Sequence, residues 1–265
     1  NVAVVVDEII SVGPAEMTTP LAWMLVTAYA VQIYFDFSGY SDMAIGLGKM
    51  FGFDILENFN YPYISKSIRE FWQRWHISLS NWFKDYLYLP LGGSRGGAFK
   101  TYRNLISIFL ITGFWHGASW SYVFWGLFHG FFMIIERLGL EKFLARLGKP
   151  FQHAYFIAVI MFSWAFFRIE DLSYSTRTAA CMLGFCAEGS GFYQISTFAT
   201  PVFWTAFVIG SFLSFPFFRN FSGSAIITGW KPAKAISIVF YITVLFLCTI
   251  SLVNNTYNPF IYFRF

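Results

Sequence analysis

The hydrophobic pattern is densest between Arg103 and Arg137. From Asn104 to Ile135 there is no charged residue, and the run holds two histidines, His116 and His129. As one helix it would extend about 50 Å, well beyond a hydrocarbon core of roughly 30 Å. The stretch is therefore predicted to break, and Gly113, Gly117 and the polar cluster Ser119-Trp120-Ser121 mark the place. The first piece, Asn104 to Thr112, reads as too short to cross alone, which puts His116 inside the membrane thickness. A polar, titratable group at that depth is costly, and irregular backbone there is tolerated only against protein or water. The expectation is a histidine at the floor of a cavity.

The flanking pattern is of the same kind. Asn1 to Thr19 starts apolar, turns acidic and carries no clear element. Pro20 to about Phe35 reads as a membrane helix that continues through Asp36-Phe37-Ser38-Gly39-Tyr40-Ser41-Asp42 to Gly48. Asp36 and Asp42 cost too much against lipid, so they are expected to face the bundle interior or a polar cavity, as structural glue or along a substrate path. Ile68, Trp72, Trp75, Leu79, Trp82 and Tyr86 fall on one helical stripe, with Arg69, Glu70, Arg74, Lys84 and Asp85 opposite. That predicts an amphipathic helix or helix pair along the membrane surface. His76 sits at the edge of this stripe. Leu91 to Gly97 holds four glycines and Arg95, a connector that could also cradle a phosphate on backbone N–H groups. Phe151–Phe167, Phe198–Phe218 and Ala235–Val253 read as further spans, and Arg168–Phe192 as a short surface helix. The chain ends in an aromatic tail, Asn254 to Phe265.

Composition turns this pattern into a class. Of 265 residues, 57% are hydrophobic, 23% aromatic and 12% charged, and the mean hydropathy is +0.54. Soluble domains carry about 25% charged residues, so the chain is read as an all-α, polytopic membrane protein with broken or re-entrant helices and surface amphipathic helices. The net charge of +4 is small and its cations lie in loops, which speaks for topology and against nucleic acid. Tyr61–Arg103, Gly139–Lys149 and Arg219–Lys234 are net positive and predicted cytoplasmic, while balanced Arg168–Arg177 is predicted external. The central stretch is then a hairpin entering from the cytoplasm. Cys181, Cys186 and Cys248 fit no ligand spacing; they read as apolar filler, with a Cys181–Cys186 disulfide as the alternative. The first residue is Asn1, not Met, and its first apolar run has no basic n-region, so a processed chain or a C-terminal fragment is expected rather than a signal peptide.

The chemical inventory is narrow. There is no GxSxG elbow and no HExxH, and no carboxylate–histidine cluster suggests a metal. His153 reads as structural and His129 as a satisfied core histidine. His76 and His116 remain, each directly after a tryptophan. A neutral imidazole, with an ordinary pKa near 6.5, suits removal of a hydroxyl proton.

Three segments carry a resemblance. Phe71-Trp72-Gln73-Arg74-Trp75-His76-Ile77-Ser78-Leu79-Ser80, then Asp85-Tyr86-Leu87-Tyr88 with Pro90-Leu91-Gly92-Gly93, then Thr112-Gly113-Phe114-Trp115-His116-Gly117-Ala118 look like the membrane-bound O-acyltransferase family, within its bacterial alginate O-acetyltransferase branch. Tyr34 to Asp42 and Asn258 to Phe265 are similar to that branch too. The resemblance implies a single membrane-embedded acyltransferase domain over 1–265, a C-terminal fragment lacking the N-terminal part of the family domain. It implies a multi-pass protein of the bacterial inner membrane. Such a protein moves an acetyl group from a cytoplasmic thioester donor, acetyl-CoA or another, toward hydroxyls of an extracytoplasmic polysaccharide, with no resident cofactor or metal. Its partners would be the bilayer, the donor, and periplasmic acetyltransferase proteins that complete polysaccharide acetylation. His116 takes the catalytic place and His76 is a second functional residue. Trp115, Trp75, Arg74 and Ser78 join Asp36 and Asp42 as substrate-path candidates. Two alternatives stand beside this: D-alanyl, peptidoglycan or cellulose acyl transfer in the same family, and a transporter without covalent chemistry. A transporter would more often show an inverted repeat, and none is found.

Overall fold

The protein is described by a computed structural model covering residues 2–186, 192–218 and 231–254. The expected basic connection at 219–230 and the aromatic ending at 255–265 lie outside the described residues. Every regular element among those described is helical. In order they are α1 (Val2–Ser11), α2 (Thr19–Met50), α3 (Ile68–Trp72), α4 (Ile77–Phe83), α5 (Gly97–His116), α6 (Trp120–Ile135), α7 (Glu141–Leu147), α8 (Lys149–Arg168), α9 (Leu172–Met182), α10 (Ile195–Phe198), α11 (Pro201–Leu213) and α12 (Lys231–Asn254).

The break in the central apolar run falls where predicted. Gly117 to Ser119 reverses the chain, and the Ser119 hydroxyl accepts from the Ser121 N–H to cap α6. The two helices press together through glycines, as small residues permit in membranes. A Cβ on Gly126 would lie 2.1 Å from the Phe109 carbonyl oxygen, and one on Gly113 would lie 2.4 Å from that of Tyr122. The expectation of a short first piece is corrected. α5 starts at Gly97, so its 20 residues rise about 30 Å; Lys100 and Arg103 ride on its first turns instead of preceding it.

Among the described residues, two helical stretches are long and apolar enough to cross a membrane, Trp120–Leu147 and Lys149–Arg168. α2, at 32 residues, is longer still, and Gln32 and Asp36 interrupt its apolar run. α11, expected as a span, has only 13 residues. The core lies where α2, α3, α6 and α8 meet. Trp125 and Trp164 are each 1% exposed there, with Phe71, Phe156 and Ile160 fully buried.

Of the two forms expected for the aromatic stripe from Ile68 to Tyr86, one helix or a helix pair, the structure has the pair. α3 is a five-residue turn, the chain reverses at His76 (φ +46), and α4 runs on into a π-helical turn, Lys84–Tyr88. Ile68, Trp72 and Trp75 are buried in the core, while Trp82 and Tyr86 are exposed. Glu136 explains the difference. It is buried at the end of α6, and its carboxylate accepts from the backbone N–H of Ile68 (2.6 Å) and Arg69 (3.0 Å) and from the Tyr155 hydroxyl (3.1 Å). A carboxylate on the first N–H groups of a helix satisfies donors that have no helical partner. It thereby pins α3 inward against α6 and α8.

α9, expected at the surface, closes one end of the bundle. Ser175 and Thr178 are fully buried, and the Ser121 hydroxyl lies 2.7 Å from the Phe166 and Ile169 carbonyls. Cys181 and Cys186 form a disulfide, so these two are a crosslink and not filler. Thr19 donates to the Cys181 carbonyl and Trp23 to that of Met182, tying the start of α2 to the same end.

Candidate active site

His116 is the last residue of α5 and is 4% exposed. Its ring centroid lies 4.8 Å from Trp115, 5.1 Å from Trp125 and 5.0 Å from Phe167. Aromatic rings from α5, α6 and α8 thus enclose it. Two cavities flank it without being lined by it. One of about 210 Å³ lies between α4 and α5, bounded by Trp72, Leu79, Phe83, Phe109 and Thr112. The other, of about 510 Å³, is bounded by Leu110, Phe114, Ala118 and Trp120. The open, wet cavity expected beneath His116 is not among the described cavities.

His76 also lies near Trp115. Its ring is 6.4 Å from that indole and 4.6 Å from Phe37 of α2. Left-handed backbone is uncommon for a residue with a side chain and persists where surroundings over-determine it. The surroundings here are the loop before α3. Asn60 N–H donates to the Arg74 carbonyl, Ile77 N–H to the Asn58 carbonyl, and the Ser78 N–H and hydroxyl to Asn58 Oδ1. Asn58 in turn donates to Ser41 of α2 at 3.1 Å. Ser78 Oγ lies 3.4 Å from His76 Nδ1. Burial pushes the His76 imidazole down to about 4, which keeps it neutral near pH 7.

A third histidine continues the line. The Trp72 indole N–H donates to His129 Nδ1 at 3.3 Å, so the neutral ring carries its proton on Nε2. That nitrogen is buried without a partner among the described residues. His129 is therefore a half-satisfied core histidine, 4.9 Å from the same Trp125 that touches His116.

A family model for the membrane-bound O-acyltransferases matches residues 10–188, which include both histidine motifs. The chain belongs to the membrane-bound O-acyltransferase family. Among relatives, it is 51% identical over 171 residues to a probable alginate O-acetylase, AlgI, of Azotobacter vinelandii, covering 64% of this chain and 34% of that one. It is 45% identical over 166 residues to a peptidoglycan O-acetyltransferase of Helicobacter pylori (62% and 32%). It is 39% identical over 121 residues to a teichoic acid D-alanyltransferase of Streptococcus thermophilus (43% and 29%). The chain spans about a third of the length of the curated relatives it matches.

Within this family frame the structure groups some of the sequence candidates and separates others. His76, Trp115 and His116 come together, and Ser78 sits beside His76. Asp36 is half-buried next to Phe37, with Oδ2 buried and unpartnered among the described residues. Asp42 is exposed on α2 and so does not face the bundle interior, the first of the two placements expected for it. Arg74 is engaged by Glu70 at 2.9 Å and by the Asn60 carbonyl, and Trp75 is 4% exposed between Phe59, Phe71 and Trp164. Both build the turn that carries His76. Two residues with the same task carried no sequence signal, Asn58 and Glu136; Trp125, which packs on His116, carried none either.

Proposed function

We propose that this chain forms the histidine-bearing part of an O-acyltransferase that moves an acetyl group from a cytoplasmic thioester toward hydroxyls of an extracytoplasmic polysaccharide. The observation that carries the reading is the placement of His76 and His116 against one indole, Trp115. The similarity to proteins named as alginate O-acetylases favours acetyl and a uronic-acid polymer. The names of the more distant relatives keep peptidoglycan acetylation and D-alanyl transfer as the second reading.

His116 takes the acceptor. Its imidazole accepts the hydroxyl proton as the oxygen bonds to the thioester carbonyl carbon. The C–S bond then breaks, and the leaving thiolate takes the proton back. In the relay variant the ring nitrogen itself attacks the carbonyl, the thiolate leaves, and the acyl-imidazole passes its acyl group to the hydroxyl. His76 orients the donor. Trp115, 55% exposed, is the movable partition; its rotation admits substrate to the enclosed ring.

The charge distribution supports the direction. Arg69, Arg95, Lys100, Arg103 and Arg137 collect where α3, the start of α5 and the end of α6 meet. The Cys181–Cys186 disulfide lies beside the start of α2, where Trp23 donates to the Met182 carbonyl and packs on Phe162 of α8. Lys/Arg excess marks the cytoplasmic side and disulfides persist in oxidising compartments. His116, against Phe167 near the end of α8, sits in the disulfide-side half. The test is radiolabelled acetyl transfer in membranes that carry the full-length protein, with donor on the cytoplasmic side. His116→Ala should lower the rate by about 10²–10⁴-fold, the usual worth of a general base; an undiminished rate would refute the assignment.

A further inference from the structure

The glycine-rich connector between Leu89 and α5 bounds a cavity of about 320 Å³, lined by Leu91, Gly93, Arg95, Gly96, Lys100 and Arg103. Its construction is more exacting than a loop requires. Asn104, fully buried, donates its amide to the carbonyls of Leu91 and Gly93, both at 3.1 Å. The same side chain accepts Nε (3.2 Å) and Nη2 (2.9 Å) of Arg103, fixing that guanidinium over the loop. From the opposite side Arg137 donates to Ser94 Oγ (3.2 Å), which is itself 2.7 Å from the Tyr88 hydroxyl. The Lys100 stem crosses Gly96, where a Cβ would come within 2.4 Å of its Cδ. Four cations thus surround one loop, two of them held in place by neutral acceptors. The ion pairs among the described residues lie elsewhere, at Arg69, Arg74 and Arg168. α5 starts in the same cavity with no side-chain cap on its first N–H groups.

We propose that this cavity binds a phosphate group, carried by an anionic lipid headgroup or by a soluble phosphate ester. Cations that only set topology need solvent and nothing more. A fully buried asparagine that fixes both loop carbonyls and a guanidinium makes a set geometry. Guanidinium forks and free helix N–H groups match phosphate oxygens. For the soluble ester the inference rests on the proposed function, whose thioester donor would carry such a phosphate; binding is read without turnover, so its failure is distinct from a failure of acyl transfer.

The experiment uses the full-length protein in phosphatidylcholine nanodiscs, with two probes: phosphatidylglycerol added to the disc and coenzyme A added to solution. Saturable binding of one probe is expected, and which one binds names the source. The triple variant Arg95→Gln/Lys100→Gln/Arg103→Gln should weaken it by at least about tenfold, while Lys142→Gln/Arg146→Gln stays within about twofold of wild type. No saturable binding of either probe, equal binding by the triple variant, or equal loss in the control would overturn the proposal. If the triple variant does not assemble, the wild type decides alone. Inorganic phosphate should displace the probe where chloride at equal ionic strength does not, and equal displacement by the two salts overturns the site.

Discussion

An imidazole kept neutral by burial resists protonation, and the fold resists with it. For His76 the native pKa of about 4 lies below its ordinary 6.5. Protons therefore bind the unfolded chain more readily. The contribution of this group to stability is complete above 6.5 and is lost as pH falls from there toward 4. Thermal denaturation across that window should show the wild type losing more stability than His76→Gln. Parallel curves for the two proteins would mean that the ring is solvated. At this scale the sequence was informative where chemistry is carried by rare residues. With four histidines in the chain, two Trp-His pairs stand out, and the structure sets both against Trp115. Asn58 is different. Its bonds to Ser41 and Ser78 span 17 and 20 residues, and nothing local separates it from any other loop asparagine. For Asp42 the sequence left two placements open, because the cost of a carboxylate in lipid bars lipid contact and does not choose between a bundle interior and a polar cavity.

Elements here are positioned by close contact more than by propensity. Gly126 lies at the tightest point of the α5–α6 hairpin, and any side chain there must push the helices apart. Overpacking of this kind costs about 1–3 kcal/mol, and it would shift the end of α5 that bears His116. Gly126→Ala should therefore lower both thermal stability and acyl transfer, measured on the same preparation. Full activity with wild-type melting would show that the helices are looser than described. The hairpin itself was legible, since an apolar run too long for one crossing must break, and the glycines and serines show where. For the stripe over 68–86 the sequence left one helix or a pair open, and it did not show that the first half is buried. Helical spacing continues on paper through residues 73–76, because period counting has no knowledge of Glu136 pulling α3 inward or of Asn58 and Asn60 bracing the reversal at His76. Long-range hydrogen bonds decided the outcome, and the aromatic stripe was divided between core and periphery.

Across the whole molecule, the proposed direction rests on the cations gathered about the start of α5 and on the disulfide beside the start of α2. The charge asymmetry was readable from composition by segment; the disulfide's place beside Thr19 was not, because it depends on how α9 folds back over the bundle. The proposed orientation predicts that Thr176→Cys, exposed on α9, reacts with an impermeant thiol reagent applied to intact cells. Phe99→Cys, exposed at the start of α5, should react only after the membrane is opened. The reverse pattern would invert the molecule and the path of the acyl group. The most direct test of the account is whether the two imidazoles flanking Trp115 serve one reaction. Acetyl-transfer rates should be measured for His76→Ala, His116→Ala and the double variant, all in the full-length protein. Residues acting as a unit are strongly non-additive, so the double variant should be no slower than His116→Ala alone. Rate losses that multiply would show two independent contributions and contradict the shared site.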